Sequence, residues 1–494
     1  MPRTRALRML TTVAPCCVIG AWCAPSLGFE AEVTSETTAQ GYQLRNAWGD
    51  PVLSRRRFVQ TLGLHVSDIG DGDRDGPWVS FRARMRLDAD FAIDRAEMDY
   101  RESPGAFVPG LQRAPVDLMY GYFDIRNVAD GMLSGRLGRQ YVIDSLGWWS
   151  FDGALVRLEL PVYVAMEAYG GLEQREGLPL SNSRFERDGV WRGDRTSLDA
   201  NVYPGFLEAD LAPAWGVVVE SLGLPIVHGR VAYRKVWNMG EVATHPFPSQ
   251  QTGVPPTTDG RRVSQERVGA SADAIVDDVG VLRTGAVYDL LRSGITSWYG
   301  SVDGYISQRI TVGADADRVV PSFDGDSIWN WFATEPTTTL LGRADVGLTK
   351  RLRVAVGGGV RWVDLESDEH LGEDAPSLAV DTLGRASARY ELDDGRVGLS
   401  GMLDWGERGD REGIDLFGDR WFEERYVLSS RISLYDWRDE LRPDRSATSF
   451  GYVLGGGFRV GDETMARLEW EHDTNELVGQ RYRVLASLQL LVNR

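Results

Sequence analysis

With 494 residues, the chain has room for two or three ordinary domains or for one large β-domain. Its 72 Asp+Glu outweigh 54 Lys+Arg, a formal charge of −18, which excludes nucleic acid as a partner because that requires a basic footprint. A content of 43% hydrophobic and 26% charged residues excludes a disordered chain. Past the N-terminus no run offers the roughly 18 uncharged apolar residues of a spanning helix, so a polytopic helical transporter is excluded as well.

The first segment opens with Arg3, Arg5 and Arg8, continues through an apolar stretch and reaches Pro25-Ser26-Leu27-Gly28. A basic start, apolar middle and small-residue end predict a secretory signal peptide over residues 1–28. Cys16, Cys17 and Cys23 all lie inside it, so the mature chain, 29–494, holds no cysteine and relies on packing and hydrogen bonds alone. A lipid anchor on Cys23 is the weaker reading, because bulky Trp22 precedes it.

From there, period-two alternation recurs to the C-terminus. Phe81, Ala83, Met85, Leu87, Ala89 and Phe91 share one parity, and Arg82, Arg84, Arg86, Asp88 and Asp90 the other. A strand separates such sets onto two faces, whereas a helix mixes them. A single long strand is predicted over 156–168, with Val156, Leu158, Leu160, Val162, Val164, Met166 and Ala168 on one face. The same pattern returns at 340–348, 352–362, 385–392, 396–405 and 481–493. These alternating runs exceed the soluble norm of about 5–6 residues and match the about 9–11 of a tilted transmembrane strand.

A soluble sandwich also has an apolar and a polar face. Two features favour a barrel in the outer membrane. Aromatics such as Trp148, Trp149, Trp298, Tyr299, Trp362, Trp405 and Trp470 mark strand ends. Short separators also alternate with long polar loops, at roughly 172–196, 239–260, 315–336, 366–376, 406–422 and 437–448. The expected fold is all-β, a single transmembrane antiparallel up-and-down β-barrel of about 18 strands, with 16–22 allowed. Strands are expected from near Ala31 to Val492, without a separate plug domain.

Residues 135–153, GRLGRQYVIDSLGWWSFDG, resemble a pattern in porin-like barrels and are similar to the alginate-export family. That resemblance implies an 18-stranded barrel passing an anionic polysaccharide, with Arg136, Arg139 and Asp152 on or near an arginine-lined lumen. By parity, Arg139 goes instead with Leu133, Leu137, Tyr141 and Ile143.

With the polar parities inward, the expected pore lining is Arg82, Arg84, Arg86, Arg157, Arg343, Arg353, Arg361, Arg385, Arg389 and Arg396, to which the family resemblance adds Arg136, joined by Arg425, Arg431, Arg459, Arg467, Arg481 and Arg483. Fewer acids fall on the same faces, namely Asp88, Asp90, Glu159, Glu167, Asp345, Glu391, Asp404 and Glu469. An excess of arginine would attract anions and bind carboxylates or phosphates bidentately. The competing reading is that arginine and acid pair across strands and keep the barrel shut.

The chain is therefore expected to be a passive channel for small polar, and among them anionic, solutes, partnered by outer-membrane lipid and needing no cofactor. Assembly into homo-oligomers is left open. A closed barrel that binds partners through long loops is the alternative. A barrel hydrolase comes last, because no Gly-x-Ser-x-Gly or His-Glu-x-x-His motif occurs and the five histidines are scattered. Asp71, Asp73 and Asp75 resemble the front of a calcium loop, but Arg82 stands where its closing glutamate belongs.

Overall fold

The computed structural model describes residues 30–67, 69, 76–90, 116–174, 211–239, 242–243, 257–258, 261–321, 335–364, 378–406, 409–438, 445–461, 463–476 and 479–493. The predicted signal peptide, the Asp71–Asp75 segment and the acidic run 366–374 lie outside them.

The strands of the first half are β1 (Glu30–Arg45), β2 (Pro51–Ser67), β3 (Trp78–Asp90), β4 (Val116–Val128), β5 (Leu133–Asp144), β6 (Gly147–Leu160), β7 (Val164–Glu173), β8 (Pro213–Ser221), β9 (Val227–Asn238), β10 (Val242–Ala243), β11 (Thr257–Thr258) and β12 (Arg262–Val276). Those of the second half are β13 (Gly280–Asp289), β14 (Gly294–Ser307), β15 (Ile310–Val319), β16 (Thr337–Gly347), β17 (Leu352–Asp364), β18 (Leu378–Glu391), β19 (Gly395–Gly406), β20 (Gly409–Phe422), β21 (Tyr426–Arg438), β22 (Ser446–Val460), β23 (Thr464–Asn475) and β24 (Gly479–Asn493).

Each strand pairs antiparallel with its sequence neighbours, and β10 and β11 form a separate two-stranded ribbon between β9 and β12. β24 then pairs with β1, from Glu32 opposite Asn493 to Arg45 opposite Gln480. The result is a closed up-and-down ring of 22 strands with no free lateral edge at the chain ends. Because direction alternates, connections fall alternately at two ends. One end carries the joins 129–132, 161–163, 277–279, 308–309, 392–394 and 423–425. The other carries the long spans 91–115, 174–212, 239–261, 320–336 and 365–377. This division into a short-turn end and a long-loop end is the arrangement of outer-membrane barrels.

Twenty-two strands exceed the expected 18, and two particular misreadings account for part of the difference. The predicted single strand 156–168 is a hairpin: β6 ends at Leu160, Pro161–Tyr163 turn, and Val164 starts β7. Val156 faces Ala168, Leu158 faces Met166 and Leu160 faces Val164. A reflection about Val162 maps even positions onto even positions, so one unbroken parity describes the hairpin as well as it describes one strand. Residues 406–422, expected as a loop, contain β20, whose outward set is apolar at Ile414, Leu416 and Phe422 but polar at Asp410, Glu412 and Arg420.

One parity is predominantly apolar and exposed, including Leu399 at 46%, Leu428 at 58% and Leu468 at 57%. The other bears most of the charges and nearly all the buried side chains. Side chains diverge on the convex face of a barrel and converge on the concave one, so the charged parity faces inward. The outward face closes with aromatics: Tyr426 and Phe458 in contact at the short-turn end, and Phe450, Tyr452 and Trp470 nearer the other. An arginine at Leu399 should destabilise the lipid-inserted barrel by ~2–4 kcal/mol, and one at inward Ser400 by much less. Urea unfolding in lipid vesicles measures both, and a larger cost at Ser400 than at Leu399 would invert the assignment of faces.

Candidate pore and its inward hairpin

All eleven arginines expected to line the pore lie on the inward parity, and most of them face acids. Arg343 bridges Asp303 at 2.6 Å and also contacts Asp315. Arg361 holds the nearly buried Asp381 at 2.7 Å, Arg385 holds Asp404 at 2.6 Å, and Arg396 holds Asp419 at 2.7 Å. Arg389 meets Glu391 at 2.7 Å and Arg353 meets Asp345 at 3.3 Å. Arg157 gathers Glu220 at 2.5 Å and Glu159 at 2.9 Å. Arg136 stands 3.9 Å from Asp124, with its guanidinium over the Tyr122 ring.

Sequence reasoning missed several of these acids: Asp124, Asp303, Asp315, Asp381, Asp415, Asp419 and Glu471. Asp415 alone takes Arg431, Ser433 and Tyr435, and Glu471 takes Arg481 and Arg483. The expected surplus of arginine therefore shrinks to a wall of cross-strand ion pairs. Arg425 belongs to the β20–β21 turn and not to a strand.

Along the β3 ladder the pairing is uneven. Arg84 reaches Glu36 at 3.1 Å, passing Gly63, where a Cβ would collide with the Thr34 side chain. Arg86 lies in register with Asp117. Arg82 lies between His65 and Tyr122, with no ion pair to an acid among the described residues.

The largest buried cluster also lies inside the ring. β5 pairs with β4 only up to Arg139, opposite Gly121, and β6 pairs with β7 only up to Phe151, opposite Glu173. Yet β5 and β6 stay paired with each other to the tip, Asp144 opposite Gly147. Residues 140–150 thus leave the wall as a hairpin and lie against the inward faces of β7, β8, β9 and β12. Trp149 and Phe151, 1% and 0% exposed, stack on each other and pack with Tyr169, Val218, Ala232 and Val236.

Polar contacts fasten the tip. Arg230 donates to the Ile143 carbonyl at 2.9 Å, and the Tyr169 hydroxyl to Asp144 at 3.1 Å. Arg234, 2% exposed, covers the Trp149 ring and donates to Gln265 at 2.9 Å. Gly269 of β12 seats the tip, since a Cβ there would lie 2.8 Å from Leu146. Beside the tip is a cavity of about 630 Å³ whose lining includes Asp144, Glu220, His228, Arg230 and Asp273.

Arg139 and Asp152, which the family resemblance put at the lumen, share the parity of outward-facing Leu137 and Val156. They form a bidentate pair at 2.7 and 2.9 Å across the hairpin base, and Arg139 also donates to the Leu118 carbonyl. No group of histidine, cysteine and acid side chains suited to a metal ion occurs among the described residues.

No protein-family model matches the chain, and no curated protein matches it. Solved structures similar to it include OccAB4 of Acinetobacter baumannii, at 7% identity and TM-score 0.42, covering 94% of this chain and 98% of that one. A BenF-like porin from Pseudomonas fluorescens Pf-5 is similar at 7% identity and TM-score 0.43, covering 94% and 99%. OpdK of Pseudomonas aeruginosa, solved with vanillate, is similar at 10% identity and TM-score 0.40, covering 94% and 99%. The alginate-export resemblance of residues 135–153 finds no counterpart in these comparisons.

Proposed function

We propose that the mature chain is an outer-membrane channel passing small polar solutes by diffusion. A single observation carries this reading: a closed ring of 22 strands with a predominantly apolar exposed face outside and a charged face inside. Such a surface is stable only in lipid, and a ring of that size encloses more space than its own side chains fill. The predicted signal peptide supports export to a Gram-negative outer membrane.

Anion preference is assigned to the β3 ladder of Arg82, Arg84 and Arg86, because Arg82 has no ion pair to an acid among the described residues. Planar-bilayer recording under a salt gradient tests both parts. Wild type is expected to conduct in discrete steps with mild anion preference. Replacing all three arginines by glutamine should shift the reversal potential toward cations, and an unchanged potential removes the ladder from the mechanism.

The hairpin and the ion-paired wall favour one second reading, a closed barrel that works through its long loops. A folded, inserted and silent protein would establish it.

A further inference from the structure

The inward hairpin has the residue pattern of a wall strand. Tyr141, Ile143 and Trp148 continue the parity of the exposed outward residues Leu137, Val156 and Leu158. Ile143 remains 62% exposed, although the opposite parity of the hairpin, Val142 and Trp149, is packed away. On that second face Tyr141 meets the Tyr120 and Trp148 rings, while Ile143 stays open to the lumen.

The wall also retains a place for the hairpin. β4 continues past Gly121 to Val116, paired with β3, while no described strand pairs with its other edge there. Met119 is an unopposed bulge between Leu118 and Tyr120. Carried past that bulge, the β4–β5 register sets Leu118 against Tyr141 and Val116 against Ile143, joining outward residues to outward residues. On the other flank the β6–β7 ladder has one step in hand, since the Gln174 amide donates to the Ser150 carbonyl at 3.1 Å.

The base of the hairpin is built to bend. Gly138, Gly153 and Gly171 stand side by side in register on β5, β6 and β7. Gly138 has φ +131°, and a Cβ on Gly153 would lie 2.1 Å from the Gly170 carbonyl oxygen. Just above this row, the Arg139–Asp152 pair ties the two arms together, and Arg139 holds the Leu118 carbonyl of the open β4 edge, a contact that raising the hairpin would exchange for backbone pairing.

We infer that the 140–150 hairpin is a gate with two positions, folded into the lumen or raised into the wall between β4 and β7. The inference rests on the channel reading above. Folded, the hairpin is held by Arg230, Arg234 and the Tyr169–Asp144 contact. Raised, it completes the backbone pairing of the β4 edge and places Tyr141, Ile143 and Trp148 among the outward aromatics. One sequence thus satisfies two packings, which is what a bistable element requires.

Disulfide trapping in the refolded mature chain tests the gate, because the native cysteines are confined to positions 16, 17 and 23. Ser145→Cys with Gly269→Cys should cross-link on oxidation and hold the low conductance level. Leu118→Cys with Tyr141→Cys should also cross-link and hold the high level, and dithiothreitol should restore switching in both. The gate is refuted if the second pair stays uncross-linked in a folded barrel while the first closes fully. It is refuted equally if traces with the first pair closed match wild type. If the Leu118/Tyr141 variant does not fold, Val116→Cys with Ile143→Cys probes the same position. Cross-linking is read on gels, so a silent barrel would overturn the channel reading alone and leave the gate decided by trapping.

Discussion

Replacing residues 141–150 by an Asn-Gly turn should raise single-channel conductance roughly threefold, because in a wide barrel the inward-folded segment sets the cross-section. The join is geometrically simple, since Gln140 and Phe151 are already a cross-strand pair that a two-residue turn can close. The shortened barrel keeps the wall pairing of β5 with β4 from Leu133 to Arg139 and of β6 with β7 from Phe151 to Leu160. It loses the apolar packing of Val142 and Trp149, so some stability is lost together with the obstruction. Insertion into lipid should survive, because the outward face below the hairpin is untouched. Unchanged conductance in a folded, shortened barrel would place the constriction elsewhere, and the hairpin would then be a brace for the inner wall.

A second large effect is expected at the glycine row. Gly153→Val should cost ~3 kcal/mol or more, or prevent assembly, because backbone and not a flexible side chain occupies the space a Cβ needs. A Cβ at Gly153 would lie 2.1 Å from the Gly170 oxygen and 2.7 Å from Gly171 Cα. Gly300, where a Cβ would meet nothing within 4 Å, is the control, and Gly300→Ala should stay within ~0.5 kcal/mol of wild type. Heat-modifiable gel mobility and urea titration in vesicles measure both variants. Equal stabilities would mean that β6 and β7 separate more readily than their close approach implies, and the hinge argument would lose its steric basis.

The ion-paired lumen bears on selectivity in a way that parity alone did not indicate. A row of arginines with free forks would give the pore a strong positive field. Arg361, Arg385, Arg396 and Arg431 instead each hold a carboxylate within 3 Å, so their fields largely cancel a few ångströms away. The β3 ladder differs because its cross-strand neighbours include His65, Gly63, Thr61, Tyr122 and Tyr120, with Asp117 as the acid in register.

Alternation by itself determined that this chain makes strands, which side chains share a face, and that one face suits lipid. It placed ten of the eleven arginines on a common side, Arg136 coming from the family resemblance, because period two is a local property written into each short segment. Strand number, ion pairing and the position of the hairpin were decided only by tertiary structure. A turn reflected about Val162 preserves parity, so β6 and β7 read as one strand until their register is known. Asp381 and Asp415 find Arg361 and Arg431 only through that register, which depends on how each strand meets its neighbour. Tyr141, Ile143 and Trp148 alternate as any wall strand does, and it is the end of pairing at Arg139 and Phe151 that turns their segment into the lumen.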